Sequence, residues 1–334
     1  MATIVIAEAG VNHNGILDLA IELIDIAVAA GADYVKFQTF NADSLVVPSA
    51  SKAPYQLAAG AEEESQLAML RRLELNESEH RVLIEYCKNS GVGFLSTGFD
   101  APSISMLWNL GQRIFKIPSG EITNRPLIEQ VARFNCPIIL STGMSTLEEV
   151  SDALDVIEQQ GTNRNQVTVL HCTSNYPATL KSINLRAMDT MRREFGVNVG
   201  YSDHSLGISV SLAAVAMGAT IIEKHFTADK SLSGPDHKAS LDPDELKELV
   251  REIRELEVVL GDGIKVPSAS EFENITVIRK SLVAQKEILK GELFTIDNLT
   301  AKRPGLGISP MKISRVLGAT ATRDYAIDEI IEMP

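Results

Sequence analysis

The sequence predicts an α/β protein, a (β/α)8 TIM barrel followed by a small β-rich C-terminal domain. Three observations predict it: short β-branched runs alternate with helix-period segments, nearly every run ends in polar groups, and the last part of the chain loses its long helices. A barrel of this kind occupies about 250 residues as one unit, so a chain of 334 residues leaves room for one small domain more.

The strand-like runs are, in order, Thr3–Ala7, Tyr34–Phe37, Val92–Leu95, Ile114–Ile117, Pro137–Leu140, Val167–Leu170, Val197–Tyr201 and Thr220–Ile222. Helix-period segments such as Leu17–Ala30, Ser78–Ser90, Arg125–Phe134, Thr146–Gln160 and Gly207–Met217 lie between them, with apolar residues at three- and four-residue spacing. An open doubly wound sheet shares this alternation. The barrel is favoured by the polar groups at the run ends: Glu8, Lys36 with Gln38, Ser96 with Thr97, Lys116 with Ser119 and Glu121, Ser141 with Thr142, His171 with Thr173, Ser202 with Asp203 and His204, and Glu223 with Lys224 and His225. Barrel enzymes draw catalytic groups from the C-terminal ends of many strands.

After the helical run Pro243–Leu260, Gly261, Gly263 and Pro267 break the pattern, and the text "GDGIKVPSASEFENITV" has turn and loop composition. The expected division is a barrel over 1–262, a linker over 263–278 and a small β-rich domain over 279–334.

Composition excludes several function classes. A net charge of −13 argues against nucleic acid, which wants a basic face. No apolar run approaches the roughly 20 residues of a membrane span, and the start "MATIVIAEAG" lacks a basic leader, so a cytoplasmic protein is expected. Cys87, Cys136 and Cys172 are odd in number and outside any C-x-x-C pattern, which suggests buried free thiols.

Two constellations carry chemistry. His204 and His225, at the ends of neighbouring strands, suit Mn²⁺, Fe²⁺, Co²⁺ or Zn²⁺ better than Ca²⁺, with Asp203 and Glu223 alongside; the plainer alternative is that each imidazole satisfies a local hydrogen bond. Lys36 and Lys116 interrupt apolar strands, where an unpaired ammonium is expensive to bury. An anionic ligand removes that cost, with Thr97, Ser119, Ser141 and Ser202 on the same rim suggesting phosphate. Pairing of either lysine with Glu8 or Glu121 is the structural alternative. The turn "AEAGVNHNG" brings Asn12, His13 and Asn14 toward the same mouth.

Taken together, "IAEAGVNHNG", "DYVKFQTF", "KIPSGEITN", "ILSTGM", "LHCTSNYP", "GYSDHSLG", "IEKHFT", "SGPDHKAS" and "KRPGLGISP" run through essentially the whole chain, which resembles the sialic acid synthase family, the bacterial nonulosonic acid synthases. The resemblance implies a TIM barrel joined to an antifreeze-like (SAF) domain, in a domain-swapped homodimer. It implies condensation of phosphoenolpyruvate with an N-acetylated mannosamine-type sugar and water, giving a sugar acid and phosphate. By the same resemblance Lys36, Thr97, Lys116, Ser119, Ser141 and Ser202 hold phosphoenolpyruvate, and His204 and His225 hold Mn²⁺, with Mg²⁺ or Co²⁺ as alternatives. Gln38, Ser174, Tyr176 and, from the other subunit, Arg303 are expected at the sugar. Glu8, Glu121, Glu223 and Asp236 are the candidates for proton transfer.

Two departures stand out: Gly98 where many relatives carry proline, and Ser174 where some carry asparagine. Substrate discrimination is expected in the long loop Asn41–Leu73. N-acetylmannosamine, giving N-acetylneuraminate, is the first-choice acceptor; 2,4-diacetamido-2,4,6-trideoxymannose, giving a legionaminic acid, is the alternative, ahead of the pseudaminic branch. A metal-dependent aldolase or a 3-deoxy-sugar acid synthase would share the barrel but not the C-terminal domain, and an ice-binding role sits poorly with that domain's many charges.

Overall fold

The computed structural model describes residues 2–52 and 64–333, in two compact units, 1–261 and 262–334. In the first, eight parallel strands follow in chain order: β1 (Ile4–Gly10), β2 (Tyr34–Thr39), β3 (Gly93–Gly98), β4 (Phe115–Ile117), β5 (Ile138–Ser141), β6 (Val167–Cys172), β7 (Asn198–Asp203) and β8 (Ile221–His225). They pair in the order β3-β2-β1-β8-β7-β6-β5-β4, with β3 and β4 side by side but not laddered. The ring is a nearly closed TIM-type barrel. After β8 the helix Pro243–Leu260 returns to pack on the first helix, Leu17–Ala30.

Local chemistry sets the helix boundaries. Asn76 with Glu79, Thr146 with Glu149 and Asp242 with Glu245 form capping boxes at helix starts. Gly31, at φ 79°, ends the first helix in the left-handed conformation that only glycine adopts without strain.

Strand periodicity builds the interior. Outward residues such as Val5, Val35, Ile138, Val169, Val199 and Ile222 join the main core beneath the helices. Inward residues first form an aliphatic plug of Ile6, Leu95, Ile139, Leu170 and Ile221. Two residues further along the same strands, the inward positions are Glu8, Thr97, Ser141, Cys172 and Glu223. The polar layer therefore sits one pleat repeat above a dry floor.

In the second unit β9 (Ser281–Ala284) pairs antiparallel with β10 (Leu299–Lys302) over a small core that includes Leu282, Phe294, Val316 and Tyr325. The stretch 263–278 is not all loop, because Ala269–Ile278 is a helix. Its start is fixed by the Glu271 carboxylate, which accepts from the Ser268 N–H at 2.7 Å. Its apolar residues Phe272, Val277 and Ile278 are exposed and Ile275 is only half-buried, so the burial signal that reveals most helices is missing. Among the described residues no helix is long and apolar enough to cross a membrane.

Candidate active site

A cavity of about 840 Å³ opens at the C-terminal ends of the strands. Strand register brings its charged groups to one level: Glu8 stands opposite Lys36 on β2 and His225 on β8, Gln38 opposite Thr97, and Ser202 opposite Glu223. A register shift between Glu8 and Gly10 bends the end of β1. Gly10 sits at φ 55°, and a Cβ there would meet His225 Cε1 at 3.3 Å.

Four buried ionisable groups form its floor. Lys36 Nζ lies 2.8 Å from Glu8 Oε2 and 3.7 Å from Glu223 Oε2, and donates to Thr97 Oγ1 at 3.0 Å. Lys116 Nζ donates to both Glu223 oxygens, at 2.7 and 2.9 Å, and Ser202 Oγ donates to Oε1 at 3.0 Å. Burial alone would raise the Glu223 carboxyl, but Lys116 and then Lys36 outweigh it and hold it well below the carboxylate range. Glu8 goes the other way. Burial, with Glu223's charge adding and Lys36 opposing, pushes it up to about 7. The two carboxylates thus have opposite tendencies, and with Glu8 protonated the quartet carries a net positive charge that suits an anion.

Above this floor His204 and His225 lie with ring centroids 5.6 Å apart, and the Tyr176 ring stands 4.0 Å from His204 and 5.7 Å from His225. His204 Nδ1–H donates to the Thr173 carbonyl at 2.8 Å, which leaves Nε2 as the ligating nitrogen. Burial works against the charge on His204, but Cys172, with Sγ 3.7 Å from Nδ1, and the Thr173 carbonyl raise it overall. A metal at Nε2 competes with that proton. His225 is pushed well below the usual imidazole range, first by burial and then by His204, and is neutral. Its Nδ1 is buried with no hydrogen-bond partner among the described residues and lies 3.9 Å from Asp236 Oδ2. Burial raises Asp236 to about 6.

The donor set fits a divalent cation: two imidazoles, one with an unsatisfied ring nitrogen, beside a buried carboxylate. Among the described residues no group of three or more His, Cys, Asp or Glu encloses one metal position. The remaining coordination positions would fall to water or substrate.

Of the residues expected from sequence, Glu8, Lys36, Gln38, Thr97, Lys116, Ser119, Ser141, Ser174, Tyr176, Ser202, His204, Glu223, His225 and Asp236 line this one cavity. Ser119 accepts from the Gly143 N–H at 2.9 Å, and any Cβ on Gly143 would strike Ser174 Oγ at 2.2 Å and Ser119 Oγ at 2.9 Å. Ser141 Oγ is buried with no partner among the described residues.

Others fall elsewhere. Glu121 closes the short 3-10 turn Ser119–Glu121, accepts from Asn124 Nδ2 at 2.6 Å and does not line the cavity. Asp203 and Lys224 have outward parity and pair with each other at 2.8 Å, so Asp203 stands away from the histidines. Asn12 and His13 do not line the cavity either; Asn12 Nδ2 instead ties the β1 turn to the Phe226 carbonyl at 2.7 Å and to Ser240 Oγ at 2.9 Å. Ser240 Oγ in turn donates to the Asp236 carbonyl at 2.7 Å. Arg303 is exposed in the second unit and donates to the Ile278 carbonyl at 2.9 Å.

Sequence reasoning missed Cys172, which shares inward parity with Leu170, as well as Asn175 and Thr179. It also missed an apolar side wall that includes Phe40, Leu45, Met69, Leu70 and Phe99. The amphipathic text "QLAMLRRL" was the available signal. Part of the long loop, residues 53–63, lies outside the described residues.

Comparison with known proteins adds the family. The profile described as the NeuB family matches residues 23–265, and that of the SAF domain matches residues 279–333. The chain is 54% identical over 329 residues to the N,N'-diacetyllegionaminic acid synthase of Campylobacter jejuni, covering 98% of each chain. It is 49% identical to the enzyme of that name from Legionella pneumophila, over 96% of this chain and 90% of the relative. Among solved structures, the N-acetylneuraminic acid synthetase of Leptospira borgpetersenii, in complex with citrate, aligns with a TM-score of 0.72 at 36% identity, over 82% of this chain and 90% of that one.

Proposed function

The chain belongs to the NeuB family and carries a SAF domain, and on that premise we propose that it condenses phosphoenolpyruvate with 2,4-diacetamido-2,4,6-trideoxymannose and water, giving N,N'-diacetyllegionaminic acid and phosphate. The observation that carries the chemistry is the quartet Glu8–Lys36–Glu223–Lys116 beneath two adjacent imidazoles. The sequence alone placed N-acetylmannosamine first as acceptor. The identities of 54% and 49% to legionaminic acid synthases, against 36% to the neuraminic acid synthetase, support the alternative better.

In this reading Lys36 and Lys116 bind the phosphate and carboxylate of phosphoenolpyruvate, and Thr97, Ser119, Ser141 and Ser202 supply hydroxyl donors around it. The unpartnered Ser141 hydroxyl supports a ligand contact there. C3 of phosphoenolpyruvate forms a bond to the sugar aldehyde carbon, C2 becomes electron-poor, and water adds to C2. Glu8, with a carboxyl near neutrality, takes a proton from that water, and the tetrahedral carbon expels phosphate as its C–O bond breaks. Asp236, raised to about 6, carries the proton that the new alkoxide needs. His204 and His225 would hold a divalent cation, Mn²⁺ first, which when bound supplies Lewis-acid polarisation of the aldehyde. Gln38, Ser174 and Tyr176 contact the sugar.

The family resemblance also supports a homodimer in which Arg303 serves the other copy, and the exposed Phe272, Val277 and Ile278 of the helix Ala269–Ile278 suit a covered face. The acceptor assignment is tested by supplying phosphoenolpyruvate and Mn²⁺ with each sugar separately and weighing the products. Turnover confined to N-acetylmannosamine overturns it.

A further inference from the structure

We infer that an apolar wall built by Phe40, Leu45, Val46, Met69, Leu70 and Phe99 reads the far end of the acceptor and selects a methyl group there over a hydroxymethyl. The inference rests on the proposed condensation and names what part of the site chooses the sugar.

The wall continues the barrel's own periodicity. On β2 the inward positions run Tyr34, Lys36, Gln38 and then Phe40; on β3 they run Leu95, Thr97 and then Phe99. β3 thus passes from the aliphatic plug, and β2 from Tyr34 packed against that plug, through a polar layer to an aromatic ring one residue beyond the strand end. Phe40 and Phe99 meet edge to face with centroids 6.3 Å apart. Phe40 packs with Met69, and Leu45, Leu70 and Phe99 join the same cluster.

The wall is held in place by polar contacts behind it. Asp100 accepts from the Asn41 N–H at 2.8 Å, and Glu74 accepts from the Ala42 N–H at 2.6 Å, so the start of the short helix Ala42–Leu45 is tied both to the residue that follows Phe99 and to the C-terminal end of the helix Gln66–Leu73. It is a preformed surface on the cavity.

Chemistry orients the acceptor against it. The aldehyde carbon must meet C3 of phosphoenolpyruvate, which is bound at the lysine floor, so the sugar's C1 end is the deep end. Its opposite end, C4 to C6, faces outward past the polar layer on this side. A C6 hydroxyl set against these six apolar side chains would give up water without a partner from the wall, whereas a C6 methyl and the methyl of a C4 acetamido group fit the surface. An apolar pocket rejects an added hydroxyl by on the order of 100-fold at most. The expected selectivity is about 10- to 100-fold in kcat/KM.

The test compares kcat/KM for 2,4-diacetamido-2,4,6-trideoxymannose and N-acetylmannosamine, at saturating phosphoenolpyruvate and Mn²⁺, in the full chain and in Val46→Thr and Leu70→Asn. Both positions are half-buried. The expected result is a native preference for the trideoxy sugar that shrinks about 10-fold in each variant through that sugar's KM, with the KM for phosphoenolpyruvate unchanged. Where Leu70→Asn melts early, Val46→Thr, close in volume, decides alone. A native enzyme that prefers N-acetylmannosamine overturns the functional reading itself. A native preference for the trideoxy sugar that both folded variants keep, or that falls equally for both sugars, overturns the wall and leaves that reading standing.

Discussion

Lys116 Nζ donates to both carboxylate oxygens of Glu223, at 2.7 and 2.9 Å, from opposite sides of the barrel lumen. The two residues are 107 positions apart in the chain, and both are buried. Breaking one side of such a pair costs about 3–5 kcal/mol, and here the buried Glu223 would lose its closest cation and keep only Ser202 and the more distant Lys36. Lys116→Met should therefore lower stability in urea unfolding by that order and reduce kcat/KM for phosphoenolpyruvate by at least ~100-fold. Adding Glu223→Leu should recover part of the stability and none of the activity. A single variant as stable as the native chain would contradict the buried pair.

Glu8 gives a pH prediction with a definite sign. Its carboxyl titrates at about 7 in the folded chain against an ordinary 4.5. Between these values the folded state holds a proton that the unfolded state has lost, so the stability this group contributes is complete below about pH 4.5 and is lost as pH rises through 7. Glu8→Gln should thus show a smaller fall in stability from pH 5 to pH 8 than the native chain. If Glu8 deprotonates the attacking water, the rise of kcat/KM through about pH 7 should also vanish in Glu8→Gln. Retention of that rise would assign it to another group.

For the histidine pair the readout is binding. Calorimetric titration with Mn²⁺ should show one site per chain, weakened at least 10-fold in His204→Ala and in His225→Ala. Because a proton on His204 competes with the cation, affinity should fall as pH is lowered. Equal affinity in the native chain and both variants would remove these residues from the metal.

Arg303 is predicted to act on the sugar alone. Arg303→Ala should raise the KM for the sugar far more than that for phosphoenolpyruvate, and mixing it with a barrel-dead Lys116→Met chain should restore activity by pairing one good barrel with one good Arg303. Equal effects on both KM values, with no restoration, would count against delivery from a second copy.

Much of this was legible in the sequence because a strand's two-residue period is local. The step from Ile6 to Glu8, from Leu95 to Thr97 and from Ile221 to Glu223 could be read directly, and it places the plug and the polar layer. Pairings across the lumen could not. The sequence offered Glu8 or Glu121 as partners for either lysine; Lys36 does meet Glu8, but barrel closure brings Lys116 to Glu223 instead. Parity also explains the errors. Asp203 is next to His204 in sequence yet faces outward to Lys224, and the 3-10 turn after Pro118 takes Glu121 out of the strand pattern that its neighbours obey. The apolar wall was harder to read because its residues come from three separate stretches, 40–46, 69–70 and 99; only the short helix Gln66–Leu73 carries a periodic signal, and that signal does not say which cavity its apolar face meets.

The most direct test of the chemistry uses phosphoenolpyruvate carrying ¹⁸O in the bridging C–O–P oxygen, incubated with the protein, Mn²⁺ and the trideoxy sugar. Attack of water at C2 with loss of phosphate by C–O cleavage predicts that the released phosphate keeps the label and the sugar acid does not. Unlabelled phosphate, or phosphate release that does not depend on the sugar, would contradict the account.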